Sequence, residues 1–293
     1  MTNPSIRAAF WMTGAIASFT AMAVAGRAVS FELDTFEIML YRSLVGMVIV
    51  IAIGAALGRL GEARTRRIRL HAFRNLAHFT GQNLWFFAIT VIPLAQVFAL
   101  EFTTPIWAIF LSALFLGERI TRYGMIAAGL GFLGILLVAR PEAGGASAGI
   151  LAAAMAAVAF ATTAVCTRSL TKTETIFAIM FWLTVIQAIF GLVCAGIDGD
   201  IAAPSAATAP WLLLIACAGL LAHFCLTNAL SIAPASIVMP LDFARLPVVA
   251  IVGMLLYDEP LELVIFGGAA LIFLGNYINI TRGQAPAPAP AVK

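Results

Sequence analysis

Charged side chains are scarce in this chain. Lysine, arginine, aspartate and glutamate make up only 11% of its 293 residues, whereas hydrophobic residues make up 62% and the mean hydropathy is +1.02. Soluble domains carry about 25% charged residues, so a water-soluble globule of this size would lack the polar surface needed to cover its core. The composition excludes the soluble classes of protein and indicates a chain whose solvent is the lipid bilayer.

Motifs of catalysis and of metal or nucleotide binding are also missing. The chain has no GxxxxGK[ST] loop, no HExxH and no recognisable Ser-His-Asp set. Its four cysteines lie in apolar segments without metal-ligand spacing, which favours small core residues over disulfides or ligands. The GxGxxG match at 129–134 falls inside an apolar segment, so a small-residue face for close helix packing is the better interpretation. The sequence therefore predicts no catalytic residue, no cofactor and no metal.

Long apolar segments are what the chain does have. Ten stretches approach the length of about 20 residues that a membrane-spanning helix needs. They are continuously apolar rather than alternating, which favours helices over barrel strands. The predicted fold class is therefore an all-α integral membrane protein with ten transmembrane helices. The segments lie near residues 8–28, 36–57, 72–91, 94–116, 122–139, 149–168, 175–196, 210–231, 235–256 and 261–280.

The two halves of the chain are related by a shift of 141 residues. Over the 125 consecutive pairs that begin with Ala15 and Ala156 there are 22 identities, roughly twice the number expected by chance in so biased a composition. The same gap-free offset aligns the apolar segments. We predict a first repeat at residues 1–143, a second at 144–283 and a disordered tail of proline and alanine at 284–293.

Basic residues separate between alternate connections. Arginine and lysine crowd the connections after segments two, four, six and ten, whereas acids predominate in the opposite ones, with Arg27 and Arg140 as exceptions. By the positive-inside rule both termini are cytoplasmic. Because each half has an odd number of spans, the second repeat is inverted relative to the first. The basic cluster at 59–74 follows from this topology and from anionic lipid at the cytoplasmic face, so nucleic-acid binding is not expected.

Ionisable residues at membrane depth are costly and are therefore candidates for function. Arg42 lies in segment two, Glu101 in segment four, and Asp242 and Arg245 in segment nine. Asp242 and Arg245 are three residues apart, so an ion pair within one helix and a shared substrate-binding role are both open. Because an adjacent arginine opposes protonation of Asp242, its repeat mate Glu101 is the preferred proton carrier.

Segment three carries a polar stripe. His78, Gln82 and Trp85 share one helix face through their i, i+4, i+7 spacing. Segment eight repeats the tripeptide Ala-His-Phe at His223. These side chains are predicted to line a cavity, with an interhelical hydrogen bond as the alternative role for the histidines. The predicted aromatic walls of the cavity are Tyr41, Trp107 and Trp182.

A family pattern runs through segments four and five. The chain reads PLAQ at 93–96, LEF at 100–102, PIW at 105–107 and LGERIT at 116–121, followed by a glycine-rich segment. This pattern resembles the EamA half-domain of the drug/metabolite transporter superfamily, and Arg42 resembles the arginine of that family's second helix. The second half matches through Glu259 but reads YDEP in place of LGER. In length and layout the chain is most similar to the YddG-type amino-acid exporters of bacterial inner membranes.

The resemblance implies ten helices as two inverted five-helix repeats around a central cavity, and export of small metabolites. The chain departs from small four-helix relatives, whose first helix carries a coupling glutamate, because its segment one has no acid. Facilitated diffusion is therefore an alternative to proton coupling.

These features together predict a secondary transporter of the bacterial inner membrane. It is expected to export neutral or aromatic amino acids, or related amphipathic metabolites, by alternating access. A purine, a nucleotide sugar or a cationic drug is the alternative solute within transport. An intramembrane lipid-modifying enzyme and an assembly subunit are the alternatives outside it. The predicted partners are the solute and membrane lipid; the oligomeric state is open, and a monomer is compatible with the sequence.

Overall fold

The computed structural model describes residues 4–116, 120–139, 147–170, 173–197, 199–232 and 245–282. Within these ranges the regular structure is helical and no β-strand occurs. The elements are α1 (Pro4–Val29), α2 (Thr35–Ala56), a 3-10 helix (Leu60–Ala63), α3 (Ile68–Val91), α4 (Leu94–Glu101), α5 (Thr104–Leu116), α6 (Arg122–Ala139), α7 (Ala148–Leu170), α8 (Ile176–Ala195), α9 (Ala209–Ile232), α10 (Arg245–Tyr257) and α11 (Leu263–Arg282).

The all-helical prediction is confirmed in the described residues, and most predicted segments match a helix to within a few residues. Six helical stretches are long and apolar enough to cross a membrane: those within α1, α2, α7, α8 and α9, and the combined α4–α5. Helix α3 is not among them, since its polar stripe lowers its hydropathy. The first part of the predicted ninth segment lies outside the described residues, and α10 forms its second part.

The fourth predicted segment is broken into α4 and α5. The break falls at Phe102 and Thr103, just before Pro105, which has no N–H to continue the helical ladder. The carbonyls freed by the break find side-chain donors: the amide of Asn276 donates to the Phe102 carbonyl at 3.0 Å, and the hydroxyl of Thr104 donates to Glu101 O at 2.6 Å. A broken helix at membrane depth is tolerated when its polar groups are satisfied in this way.

The main helix contacts join the two halves of the chain. Helix α1 packs along α9, α3 along α7, α2 along α8 and α6 along α11. A shift of 141 residues carries α1 onto α7 and α3 onto α9, so the first two contacts are equivalent and the other two map onto themselves. The packing therefore has the internal two-fold symmetry that the repeat predicts.

The connections of the two halves meet at two ends of the molecule. At one, which we call the acidic end, the α1–α2 connection contacts the α8–α9 connection: Glu32 accepts a hydrogen bond from the Ser205 backbone N–H at 2.7 Å. The Ser205 backbone and hydroxyl hold the pKa of Glu32 below its usual range. At the other, the basic end, the α2–α3 connection contacts the end of α7 and the α7–α8 connection. Arg67 donates to the Ser169 carbonyl of α7 at 2.8 Å, and the Thr65 hydroxyl donates to the Glu174 carboxylate at 2.7 Å. The two ends lie at opposite termini of α2. The α1–α2 and α7–α8 connections are repeat mates, and so are the α2–α3 and α8–α9 connections. Each end therefore holds the mates of the connections at the other end.

Glycines permit the close crossing of α6 and α11. A Cβ on Gly134 would lie 2.6 Å from the Gly268 carbonyl oxygen, which supports the small-residue interpretation of the GxGxxG match. All four cysteines are free thiols, as expected, but they are not all core residues: Cys217 is exposed on the outer face of α9.

Candidate functional site

One face of α3 carries a buried polar row. Arg74, His78, Gln82 and Trp85 follow one another at intervals of three or four residues and are only 4–5% exposed. This face is turned inward among the helices of both halves. Helix α3 therefore holds a line of polar groups inside an otherwise apolar helical bundle.

Arg42 of α2 reaches this row. Its Nη1 donates a hydrogen bond to Oε1 of Gln82 at 2.5 Å, and the side chain is 8% exposed. On its other side the guanidinium lies against α9, where a Cβ on Gly219 would be only 2.8 Å from Nη2. A residue without a side chain at this point lets the guanidinium fit between the helices.

Two histidines face each other beside Arg42. The ring centroids of His78 and His223 are 5.8 Å apart, with an interplanar angle of 67°. Phe160 of α7 contacts the His78 ring at 6.1 Å, and Phe19 of α1 contacts the His223 ring at 5.7 Å. Neither ring nitrogen of His78 has a hydrogen-bond partner among the residues that the structure describes.

A small cavity opens next to this cluster, between α2, α8 and α9. The cavity volume is about 20 Å³, which is enough for a water molecule. The Gln187 side-chain oxygen in its wall has no hydrogen-bond partner in the described ranges. The lining residues are Arg42, Ser43, Gly46, Leu183, Thr184, Gln187, Ala216, Gly219, Leu220 and His223.

A second polar group lies at the break between α4 and α5. Glu101 accepts a hydrogen bond from the Trp85 indole at 2.9 Å and forms an ion pair with Arg245 at 3.2 Å. The Arg245 guanidinium also lies over the rings of Phe19 and Phe98, each 4.8 Å from its centroid. Since Phe19 also contacts His223, the two polar groups form one continuous strip.

The partner of Arg245 changes the argument about proton coupling. Glu101 was preferred as proton carrier because an arginine was expected beside Asp242. Asp242 lies outside the described residues, and the guanidinium of Arg245 lies 3.2 Å from a carboxylate oxygen of Glu101. The arginine argument therefore applies to Glu101 itself, and the preference for Glu101 loses its basis.

The structure brings seven of the predicted site residues together: Arg42, His78, Gln82, Trp85, Glu101, His223 and Arg245. Three predicted aromatic walls make other contacts. The hydroxyl of Tyr41 donates to Ala202 O at 2.8 Å near the acidic end, and the indole of Trp182 donates to Ala63 O at 2.8 Å near the basic end. The indole of Trp107 donates to the Thr103 hydroxyl at 3.1 Å, at the break just before its own helix.

Tyr41 and Trp182 are repeat mates, and their contacts are equivalent. Each joins a helix to the connection at its own end of the molecule, so both have a structural role that their aromatic character alone did not reveal.

Four residues of the strip were missed by the sequence reasoning. Arg74 was counted with the basic connection, although it lies one turn before His78 on the same face. Phe19 and Phe160 are an identical pair in the 141-residue repeat, and that identity was the available signal. Gln187 gave no such signal, because its repeat mate is Gly46.

Metal-binding geometry is not found in the described residues, where no three histidine, cysteine, aspartate or glutamate side chains are grouped closely enough to hold an ion. The arrangement of the strip suits an organic solute: amide and imidazole groups for hydrogen bonds, guanidinium groups for charge, and aromatic rings for stacking.

A bundle of paired helix repeats with a buried polar strip between them is typical of a membrane transporter, and the comparisons identify the family. The profile of the EamA-like transporter family matches residues 6–140 and again residues 147–281. The chain belongs to this family.

Curated relatives are named for two solutes. A riboflavin transporter of Brucella anthropi is 31% identical over 223 residues, which is 75% of this chain and 78% of the relative. A riboflavin transporter of Vibrio cholerae is 27% identical over 92% of this chain and 91% of its own length. An S-adenosylmethionine uptake transporter of Rickettsia conorii is 23% identical over 89% of this chain and 88% of its own. These names do not include an amino-acid exporter.

A solved crystal structure has the same fold. It superposes with a TM-score of 0.64 over 92% of this chain and 95% of its own, at 18% sequence identity.

Proposed function

We propose that this chain is a secondary transporter of the bacterial inner membrane that moves a small metabolite with an aromatic or heteroaromatic ring. The observation that carries the proposal is the pair His78 and His223, held between Phe19 and Phe160 beside a cavity lined by Arg42. Aromatic and imidazole faces can stack on a planar solute, while the amide of Gln82 and the guanidinium of Arg42 can orient its polar edge.

The proposed mechanism is alternating access by two inverted five-helix repeats with ten spans. Support comes from the helix contacts, which exchange under the repeat, and from repeat-related connections that lie at opposite ends of α2. The polar strip lies where the halves meet, so rocking one half against the other would expose it to each side of the membrane in turn. The proposed orientation places the basic end and both termini in the cytoplasm.

The names of the relatives bear on the choice of solute. Riboflavin has a planar ring system that suits the strip. S-adenosylmethionine carries a sulfonium cation, and Arg42 and Arg74 have no carboxylate partner in the described part of the chain to offset their charge. A ring-bearing solute without a net positive charge is therefore the better fit.

Amino-acid export is the second candidate. Its specific support is the ion pair of Glu101 and Arg245, which could open to the ammonium and carboxylate of a zwitterion. An aromatic amino acid would use the same rings as a flavin.

The test is counterflow in proteoliposomes that contain only this purified protein. Vesicles preloaded with unlabelled solute are given labelled riboflavin, phenylalanine, adenine or S-adenosylmethionine. We expect exchange of riboflavin or phenylalanine and none of S-adenosylmethionine. If none of riboflavin, phenylalanine and adenine is exchanged, the proposal is rejected.

A matched pair of variants tests the site. Gln82→Leu removes the acceptor of the Arg42 hydrogen bond and should lower exchange about tenfold. Asn83→Leu on the same helix is the control, because among the described residues the Asn83 amide donates to a carbonyl of its own helix, that of Phe79 at 2.8 Å. Equal exchange activity in the two variants would show that the polar strip does not take part in transport.

A further inference from the structure

Among the described residues, the polar strip has more arginines than carboxylates. We propose that the transported solute carries an anionic group, a carboxylate or a phosphate, that binds beside His78 between Arg42 and Arg74. This inference rests on the proposed transport function and narrows its substrate class.

Neither of the two buried arginines has a counter-ion among the described residues. The hydrogen bonds of Arg42 go to Gln82 and to the sulfur of Met39, and that of Arg74 goes to the Thr167 hydroxyl at 2.6 Å. All of these partners are uncharged. A buried charge with uncharged partners is destabilising unless a counter-charge joins it, and an anionic solute would supply that charge.

The nearest acids in the described residues are engaged elsewhere. Glu101 pairs with Arg245 and accepts from Trp85. Glu174 accepts from Thr65 at 2.7 Å at the basic end, where its other oxygen is 4.0 Å from His71.

Arg42, Arg74 and His78 also have hydrogen-bond donors that are not used within the described residues. An arginine has five N–H groups, and in Arg42 only those on Nη1 have a hydrogen-bond partner among the described residues. Arg74 Nη1 and both ring nitrogens of His78 are buried without a partner in the same ranges. The oxygens of a carboxylate or phosphate are acceptors that suit this set, because guanidinium groups bind them with paired, charge-assisted hydrogen bonds.

A small cavity lies on the Arg42 side of these donors. Its lining includes Arg42, His223 and the oxygen of Gln187 that lacks a partner in the described residues, and it includes no acidic side chain of those residues. The cavity has room for a water molecule, so binding of an anion requires the helices around Arg42 to separate, as the proposed transport cycle would have them do.

Two pairs of fluorescent probes test the inference on the purified protein in nanodiscs. Riboflavin and flavin mononucleotide share a ring and a ribityl chain but differ by a phosphate. Lumiflavin and 10-carboxymethylflavin share a ring but differ by a carboxylate. We expect the anionic member of at least one pair to bind about tenfold more tightly, as measured by quenching of flavin fluorescence. The pair that shows the preference identifies the anionic group.

Variants locate the preference. Arg42→Gln and Arg74→Gln should bring each anionic probe to within about threefold of its neutral partner, while Arg67→Gln, which removes an arginine with neutral partners at the basic end, should leave the preference intact. Arg42→Lys keeps the charge but not the paired donors, and should give an intermediate preference for the anionic probe. This variant provides the test if Arg42→Gln folds poorly. A preference unchanged in every arginine variant would overturn the inference.

The remaining outcomes separate the two proposals. Equal binding of the neutral and anionic flavins would reject the anionic group but keep a ring-bearing solute. If no flavin binds, N-acetylphenylalanine and its amide provide a third pair, measured by radioligand binding. Binding of the acid alone would keep the anion site and reject flavins as the ring, and no binding of either by a protein with native helical circular dichroism would overturn the inference.

Discussion

Three arginines show how differently one residue type is accommodated inside this protein. Arg27 forms an ion pair with Glu259 and donates to the Ile92 carbonyl at 2.8 Å. Arg245 combines an ion pair with aromatic rings, and Arg42 relies on an amide. Arg27 was an exception to the separation of charges along the chain, and its pairing with an acid near the acidic end provides the reason.

The ion pair of Glu101 and Arg245 leads to a prediction about stability. Glu101→Gln keeps an acceptor for the Trp85 indole but removes the carboxylate that forms an ion pair with Arg245. We expect a lower unfolding temperature in detergent, and partial recovery in the double variant with Arg245→Met, with a coupling on the order of 1–3 kcal/mol. Arg59→Gln, at an exposed pair with Glu62, is the control and should change little. Strictly additive single effects would contradict an energetically coupled pair.

The helices themselves are held together by two kinds of contact. Cross-half pairs such as α2 with α8 bury small and apolar side chains, while α6 and α11 cross with backbone close to backbone at Gly134 and Gly268. The broken helix α4–α5 instead relies on side-chain donors from neighbouring residues. Helix packing in lipid depends on such close fits. Because lipid tails are as apolar as the side chains, the hydrophobic effect does not drive the helices together there.

The α6–α11 crossing predicts a contrast between two glycines of one helix. Gly134→Val places new carbon atoms against the Gly268 carbonyl and should destabilise the protein by on the order of 1–3 kcal/mol. Gly129→Val is the control, because nothing lies within 4 Å of a Cβ at that position. The melting temperature is measured by heating samples of each variant and determining the folded fraction by size-exclusion chromatography. Equal melting temperatures in the two variants would mean that the crossing tolerates a wider separation of the helices.

The two halves of the whole molecule share a scaffold but not their chemistry. Arg42 has Leu183 as its repeat mate, and His78 has Gly219. The glycine is the point against which the Arg42 guanidinium lies, so the second half provides space where the first provides charge. The site is therefore asymmetric although the helix contacts around it are symmetric.

The proposed inverted arrangement predicts opposite accessibility for repeat-related positions. Arg66 and Ala207 are mates, both are exposed, and they lie in the connections at the basic and acidic ends. In a background without Cys166, Cys194, Cys217 and Cys225, we expect Ala207→Cys to react with an impermeant maleimide in intact cells. Arg66→Cys should react only after the cells are permeabilised. Labelling of both from the same side would refute the inverted topology.

Much of the fold could be predicted because it depends on local pattern. Hydropathy along the chain located α6 at 122–139 to the residue, and it located the span of α4 and α5 at 94–116 without the break between them. The stripe of His78, Gln82 and Trp85 followed from helical periodicity, which places residues on one face whatever they contact.

Partners between helices were a different matter. Nothing in the sequence placed Glu101 beside Arg245, or assigned Tyr41 and Trp182 to connections instead of to a cavity. Composition, hydropathy and the repeat were sufficient to identify a duplicated helical membrane protein, because each is a property of residues near one another in the chain. The pairing of Arg42 with Gln82 and of His78 with His223 required the packed helices, because side chains far apart in sequence meet only where the two halves fold against each other.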